Sequence, residues 1–229
     1  MLHLLPVPRQ VEPHDGSFGL THDMCIVLET ACELARTGAK QLQEEILQSS
    51  GMQVEIRIGK ARAGDICLAV EPVEPAQGYA LAITAEGVTV TGNDDAGLLH
   101  GVQTLRQIIR QSGWKLPCLT IRDAPAYAAR GFYHDVTRGR IPTLTFLKQL
   151  ADECCFYKLN QLQLYVEHTY LFKDIPELQA AAGDIACRGS RNQLRLSCQD
   201  SATHTEHQAA YQQQRRKQDH CHGNKCAAE

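Results

Sequence analysis

The sequence predicts an α/β fold: a small mixed-sheet α/β domain, the first strand–helix–strand unit of an incomplete (β/α)8 barrel, and a disordered tail. Two observations predict the folded part. Strand and helix periods alternate along it, and a strand, a helix and a strand follow one another within about 35 residues. A third predicts the tail, because apolar periodicity stops near Leu178. We therefore expect three segments, residues 1–122, 123–178 and 179–229.

The first segment opens with strands around one helix. A short apolar run at Met24–Leu28 is typical of a strand, and the amphipathic pattern over residues 31–49 predicts a helix that stops at Gly51. Apolar and polar residues then alternate in three runs, as they do in half-buried strands. These runs cover residues 54–58, 66–70 and 79–83.

A hairpin and a second helix complete this segment. The turn Glu86–Gly87 joins the third of these strands to a strand at residues 88–90. Asn93 or Asp94 can cap the helix that follows. The apolar side chains on one face of this helix are Leu98, Val102, Leu105, Ile108 and Ile109. With a last strand at residues 116–121, we expect a mixed sheet with both helices packed on one face.

The second segment predicts a βαβ unit. Gly131–Val136 is a strand candidate, a helix begins near Pro142 and ends around Lys158, and residues 160–166 form another strand. A right-handed crossover between them makes the two strands parallel. A (β/α)8 barrel begins in this way.

Composition excludes several classes of protein. The 229 residues carry a net charge of -3, so no basic surface favours nucleic acid. The first residues lack the pattern of a secretory signal and no run is long enough to span a membrane, so we expect a cytoplasmic protein. The ten cysteines are then expected as thiols, with Cys25, Cys67 and Cys118 buried inside apolar strands.

The third segment is rich in Gln, His, Ala and charge. Such a composition cannot offset the entropy of ordering the backbone, so we expect disorder. His220–His222 with Cys226 could supply zinc ligands, but a cluster without a second ligand pair is weak, and we predict no metal and no cofactor. The basic run Arg215–Lys217 is typical of a solvated surface. We interpret the tail as an out-of-frame translation or a truncated gene product.

Many short motifs occur in one order along residues 4–172. They are Leu5–Pro8, Gln77–Leu81, Gly97–Gln107, Leu116–Pro117, Asp123–Pro125, Arg130–Phe132, Asp135–Arg138, Ile141–Pro142 and Tyr157–Asn160. In this order they resemble glycoside hydrolase family 20, the family of the β-N-acetylhexosaminidases. The resemblance implies a small α/β domain of zincin-like topology, without its zinc, beside a catalytic barrel.

The resemblance also implies a mechanism. In this family the 2-acetamido oxygen of the substrate attacks the anomeric carbon, an Asp orients that group, and the adjacent Glu acts as general acid and base. The sequence has one Asp-Glu pair, Asp152–Glu153, and the pattern places it on the solvated face of a helix. We therefore assign no catalytic residue in this chain.

Three residues are candidates for substrate binding. By resemblance, Arg130 matches the arginine that binds the hydroxyls of the terminal sugar, and its planar guanidinium suits neighbouring hydroxyls. The alternative is an arginine paired with a local acid such as Asp135. Glu167 and His168 follow a barrel strand at the end where barrels place active sites, although many members have two aspartates there.

Two functions stay open. In the first, the chain is an inactive fragment of an enzyme whose complete relatives act on glycans that end in N-acetylhexosamine. In the second, residues 1–122 form a non-catalytic module for packing or association. Apolar surface left by the missing barrel would favour self-association. Neither function includes nucleic acid or a membrane as partner.

Overall fold

The computed structural model describes residues 2–71, 74–136, 142–166 and 192–197, the last stretch by its backbone alone. The chain divides into two units, residues 1–128 and 129–229. None of the helices in the described part is both long and apolar enough to cross a membrane.

A seven-stranded mixed sheet and two helices make up the first unit. The strands are β1 (Gln10–Gly19), β2 (Cys25–Leu28), β3 (Glu55–Ile58), β4 (Ile66–Val70), β5 (Tyr79–Thr84), β6 (Gly87–Gly92) and β7 (Lys115–Asp123). Their order across the sheet is β1-β7-β5-β6-β4-β2-β3. Strands β3, β2, β4 and β6 are mutually parallel, whereas β5 pairs antiparallel with β6 and β7, and β1 with β7. The helices are α1 (Glu33–Ser50) and α2 (Asp95–Ser112).

One hydrophobic core joins the sheet to both helices. Alternate strand residues such as Ile26, Leu68 and Leu81 belong to the same buried cluster as Leu42 of α1 and Leu105 of α2. Since both helices share this cluster with alternate residues of the strands, they pack on one face of the sheet. This confirms the predicted mixed-sheet α/β domain.

Local signals explain where both helices begin and end. The Cys32 Sγ accepts a hydrogen bond from the Ala35 N–H at 3.3 Å and so caps α1, a role the sequence did not suggest because cysteine is not a usual cap. Gly51 ends α1 with a left-handed φ of 74°, as predicted. Of the two candidate caps for α2, Asp94 is the one that bonds to the helix, through the Gly97 N–H.

Strand β1 is absent from the sequence prediction. Its side chains are mostly exposed, and Phe18 is its one residue buried in the core, so it shows no apolar alternation. It lies at the edge of the sheet and pairs with β7 through main-chain hydrogen bonds, with an irregularity between Pro13 and Ser17. Main-chain pairing leaves no periodic signal in the sequence.

The second unit contains the predicted βαβ. Its elements are β8 (Gly131–Asp135), α3 (Leu144–Phe156), β9 (Gln161–Val166) and β10 (Asn192–Ser197). Strands β8 and β9 are parallel, which confirms this part of the predicted fold class. Helix α3 covers one face of them, in a small core of Val136, Cys154, Leu162 and Leu164.

The segment expected to be a disordered tail contains one described strand. Strand β10 pairs antiparallel with β9, and the register sets Leu194 opposite Leu164 and Leu196 opposite Leu162. The spacing of two residues between these leucines is that of a strand, and it is too short a pattern to stand out in a segment otherwise rich in polar residues. The other residues of 179–229, including the possible zinc ligands near His220 and the basic run at Arg215, lie outside the described residues.

Candidate functional site

The family-like motifs of the first unit meet at the beginning of α2. The Asp94 carboxylate accepts two backbone hydrogen bonds, from the Gly97 N–H at 2.7 Å and from the Gln77 N–H at 2.8 Å. The buried His100 ring holds its Nδ1 3.1 Å from the Gln77 carbonyl oxygen. These bonds fasten the loop before β5 to the first turns of the helix.

Glycines allow this loop and helix to touch. A Cβ on Gly97 would lie 1.9 Å from the Gly78 carbonyl oxygen, a distance that no side chain can occupy. A Cβ on Gly101 would lie 3.0 Å from the Tyr79 ring and 2.5 Å from Val90. The glycines of these motifs are therefore requirements of backbone packing.

Tyr79 ties the same junction to the end of β7. Its hydroxyl lies 2.7 Å from the Thr104 Oγ1 and donates to an Asp123 carboxylate oxygen at 3.2 Å. Burial, and next the negative charge of Asp123, raise the pKa of Tyr79 far above its usual value of 10.0. The hydroxyl stays protonated at neutral pH, so this junction stabilises the fold and does not act as a base.

Arg130 lies at the beginning of β8, and its described bonds go to the segment before β9. Its Nε donates to the Lys158 carbonyl oxygen at 2.9 Å, and its backbone N–H donates to the Asn160 Oδ1 at 2.8 Å. The Asn160 and Gln161 N–H groups donate back to the Arg130 carbonyl oxygen. Arg130 thus joins the two parallel strands at their amino ends.

The opposite ends of these strands carry a different set of side chains. Asp135 pairs in register with Tyr165, and the Tyr133 and Tyr165 rings lie 6.0 Å apart. The five residues of β8 span about 16 Å at about 3.3 Å per residue, so the backbone of Arg130 is distant from this end. The other two predicted binding residues, Glu167 and His168, lie outside the described residues.

The Asp-Glu pair of this sequence is on the surface. Asp152 and Glu153 lie on α3, and both side chains are exposed. This is the arrangement that the helix pattern predicts. Neighbouring residues of a helix point about 100° apart, so these two carboxylates do not converge on one substrate.

Two of the described cysteines have thiols whose pKa is raised. Burial, with the nearby Glu29 carboxylate, raises the pKa of the Cys67 thiol to about 11, and burial also raises that of Cys32. Cys67 and Cys118 are buried as predicted, whereas Cys25 is only half-buried. Nowhere in the described part do three or more His, Cys, Asp or Glu side chains come together as metal ligands.

A groove that the sequence analysis did not predict runs beside α1 and β3. Its volume is about 880 Å³, and polar side chains such as His22, Asp23, Glu44 and Glu55 line it together with Met24 and Leu47. Its lining residues come from three short runs, 22–25, 43–47 and 53–56, and carry no recognisable motif.

Curated relatives are hexosaminidases. The chain is 33% identical over 161 residues to a β-hexosaminidase of Vibrio furnissii, covering 69% of this chain and 25% of the relative. It is 33% identical over 171 residues to a β-N-acetylhexosaminidase of Cellulomonas fimi, covering 71% and 34%. The chain therefore spans about a quarter to a third of the length of these relatives.

Solved structures agree with the sequence matches. The family 20 β-N-acetylhexosaminidase of Streptomyces coelicolor A3(2) superposes with a TM-score of 0.64 at 30% identity, over 72% of this chain and 35% of that chain. The family description that matches residues 1–124 is glycosyl hydrolase family 20, domain 2. As this match includes more than half of the sequence, the chain belongs to glycosyl hydrolase family 20.

Proposed function

We propose that this chain is part of a β-N-acetylhexosaminidase-type glycoside hydrolase, the enzymes that remove terminal N-acetylhexosamine from glycans. Residues 1–122 are its supporting α/β domain and residues 123–178 begin its catalytic barrel. The observation that carries the proposal is the reach of the similarity. The match to the Cellulomonas fimi enzyme extends over 171 residues, beyond the family domain at 1–124 and so into the βαβ unit.

The 229 residues do not hydrolyse such a substrate alone in this proposal. The substrate-assisted reaction needs an Asp to hold the acetamido group and a Glu to protonate the leaving oxygen, both facing one sugar. Asp152 and Glu153 are exposed and diverge on α3. A (β/α)8 barrel also needs eight strands and about 250 residues, far more than follow residue 122.

Arg130, Glu167 and His168 are the proposed sugar-binding residues of the assembled enzyme. Support for Arg130 comes from its match to the family arginine, whereas its bonds to Lys158 and Asn160 place its backbone at the amino ends of β8 and β9, opposite the end that Glu167 and His168 follow. Glu167 and His168 directly follow β9, at the end of a parallel strand where barrels bind substrates. The set is incomplete without further barrel strands.

Hydrolysis of a chromogenic N-acetylglucosaminide by the purified chain tests inactivity. We expect no release of chromophore above that of a variant with Asp152→Asn and Glu153→Gln. Release by the chain that this double variant abolishes would contradict the proposal, because it would make the surface pair catalytic. Chromophore release that persists in the double variant would also contradict inactivity, and would mean that another group of the chain is catalytic.

A chimaera tests the family role. Residues 1–124 replace the corresponding domain of the Cellulomonas fimi enzyme, and hydrolysis by the hybrid is compared with that of the parent. We expect activity within about tenfold of the parent, because the supporting domain does not touch the substrate. A hybrid that folds and is inactive would contradict a supporting role for this domain.

The second candidate is a non-catalytic module in which residues 1–122 serve only for packing or association, while exposed apolar surface on the residues that follow favours self-association. The aromatic side chains of Phe132, Tyr133 and Phe146 are 42%, 50% and 44% exposed in the second unit. Exposed aromatic surface promotes association of copies. Light scattering across a range of protein concentrations tests self-association. A monomer at every concentration would refute the association module.

Location in the cytoplasm is part of the same proposal. None of the six described cysteines, three of them in the core of the first unit or at its sheet, forms a disulfide. Thiols of this kind persist in a reducing compartment. Titration of the free thiols in protein taken directly from cells tests this location. Disulfides among the described cysteines would contradict it.

A further inference from the structure

The first residues of the chain run beside the carboxyl-terminal half of α2. The exposed Gln111 side chain forms two hydrogen bonds with the main chain of His3. The His3 N–H donates to the Gln111 Oε1 at 2.8 Å, and the Gln111 Nε2 donates to the His3 carbonyl oxygen at 2.8 Å. The side-chain amide of Gln111 thus pairs with both the N–H and the carbonyl group of His3, as the main chain of a neighbouring strand does in a sheet.

Gln107 repeats this arrangement two residues further along the segment. The Leu5 N–H donates to the Gln107 Oε1 at 2.8 Å, and the Gln107 Nε2 donates to the Leu5 carbonyl oxygen at 2.7 Å. Residues four apart on a helix lie about 6 Å apart on one face, and alternate residues of an extended chain are about 6.6 Å apart. The two spacings match, so one helix face can hold an extended main chain.

Between the two gripped residues lies an apolar anchor. Leu4 is 7% exposed and belongs to the core cluster of the first unit. The segment is thus held by its main chain at His3 and Leu5 and by one buried side chain at Leu4. We call residues 2–9 the strap.

The other end of the strap bonds to the segment that follows β7. The Arg9 N–H donates to the Asp123 Oδ1 at 3.2 Å, and the Arg9 Nη2 donates to the Pro125 carbonyl oxygen at 3.2 Å. The same Asp123 oxygen accepts the Ala124 N–H at 2.9 Å. The strap therefore links α2 to residues 123–125.

We propose that the strap is a clasp: Gln107 and Gln111 hold the main chain of His3 and Leu5 on α2, and the held strap restrains residues 123–125 through Arg9. Release of the strap from α2 loosens Asp123 and the residues after it. Nothing in this proposal depends on glycoside hydrolysis, because all its residues lie in the first unit and none binds substrate.

Amide hydrogen exchange of the full chain tests the clasp. The variants are Gln111→Ala, at an exposed position that leaves the core intact, and the double variant Gln107→Ala with Gln111→Ala. We expect the His3 amide of the single variant, and both the His3 and Leu5 amides of the double variant, to exchange about fivefold to tenfold faster. The Arg9 and Ala124 amides should follow in the double variant. Unchanged amides in β5 would show that the fold is retained.

Gln43→Ala is the matched control. The Gln43 Nε2 donates to the Val54 carbonyl oxygen at 2.6 Å, so this variant also removes a bond from a glutamine side chain to the main chain, but far from the strap. It should leave all four amides at their wild-type rates. The proposal is overturned if the His3 amide of Gln111→Ala keeps its protection, or if the His3 and Leu5 amides are released while Ala124 stays as protected as in the wild type.

Discussion

The two units of this chain differ in how their sheets are covered. In the first unit both helices and seven strands share one core, in which residues such as Leu81 and Leu105 are fully buried. In the second unit α3 covers one face of β8 and β9, with a core of four buried residues. The same α/β pattern along the sequence thus gives a sheet covered by two helices in the first unit and a smaller sheet covered by one helix in the second.

The two faces of the second sheet carry different residues. Phe132 and His134 lie on the α3 side, because they pair in register with Leu162 and Leu164. The other face carries Tyr133, Asp135, Gln161, Gln163 and Tyr165, and α3, the one helix in the described part of this unit, lies on the opposite side. In a barrel this face points inward. Similarity to a family therefore does not show that a unit covers the faces of its own sheet.

Substitution of a glycine should produce the largest difference in unfolding free energy between the two units. Gly97→Ala places a Cβ 1.9 Å from the Gly78 carbonyl oxygen, so loop and helix must separate. We expect the first unit to lose about 4 kcal/mol of unfolding free energy. The matched change in the second unit, Gly131→Ala, brings its Cβ 3.3 Å from that of Gln161, a tight contact that offsets the entropy alanine removes from the unfolded chain, so the unfolding free energy should change by less than about 1 kcal/mol.

Urea unfolding measures the first change through tryptophan fluorescence, because Trp114 is the one tryptophan of the chain and lies in the first unit. Hydrogen exchange of the β9 amides measures the second. Equal costs for the two glycines would contradict the view that the first unit alone is tightly closed.

Core leucines should show the next largest difference. Leu81→Ala empties a fully buried site in the first unit and should cost about 3 kcal/mol. Leu164→Ala, at a site 8% exposed in the small core of the second unit, should cost about 1 kcal/mol, because fewer neighbours lose contacts and water can enter. The same two measurements apply. A cost at Leu164 equal to that at Leu81 would mean that the second unit has a core of comparable quality.

A buried ion pair joins the two helices of the first unit, and its loss should rank third. The Glu45 carboxylate is 2% exposed and accepts from the Arg110 Nε at 2.9 Å and the Arg110 Nη2 at 2.7 Å, with the Arg106 Nη2 3.3 Å away. Glu45→Ala should cost about 2 kcal/mol, because the half-exposed Arg110 regains water while Arg106, only 14% exposed, keeps its hydrogen bond to the Gln103 Oε1.

Glu44→Ala is the control for this pair. Glu44 is the exposed neighbour on α1, and its loss should change the unfolding free energy by less than about 0.5 kcal/mol. The Trp114 fluorescence transition in urea reports both variants. Similar midpoints for Glu44→Ala and Glu45→Ala would show that the bridge between the helices contributes nothing measurable.

The sequence predicts elements that depend on side-chain burial and misses those that depend on the main chain. Helices α1 and α2 and strands β4 to β6 have a periodic apolar face, so the pattern locates them within a few residues. Strand β1 and the strap bond through backbone groups, which any sequence provides.

Sequence patterns predicted less of the candidate site than of the fold. The motif around Gly97 and Tyr79 indicates a family, but a family motif does not say whether its residues bind substrate or pack, and here the contacts are those of packing. Two described partners of Arg130 are the Lys158 carbonyl oxygen and the Asn160 amide oxygen, which lie 28 and 30 positions away in the sequence. Long-range bonds to main-chain atoms leave no pattern that spacing could detect.

The smallest effect, and the one most specific to the closed first unit, should come from Tyr79→Phe. Near pH 7 the variant loses the bonds to Thr104 and Asp123, at a cost of about 1 kcal/mol. The folded-state pKa of Tyr79 is raised far above 10.0, so the unfolded chain releases this proton at a lower pH than the folded chain. The stability that Tyr79 contributes is then fully present below pH 10 and is lost as the pH rises above it.

The gap in unfolding free energy between wild type and Tyr79→Phe should therefore close above pH 10, because phenylalanine has no proton to release. The raised pKa of Cys67, about 11, lowers the stability of both proteins between pH 9 and 11 and cancels in the difference. Thr104→Val separates the two parts of the effect, since it removes one hydrogen bond and keeps the tyrosine, so its curve should stay parallel to that of the wild type. A gap for Tyr79→Phe that stays constant to pH 11 would mean that Tyr79 ionises as readily in the folded chain as in the unfolded one, and that the junction at α2 is open to water.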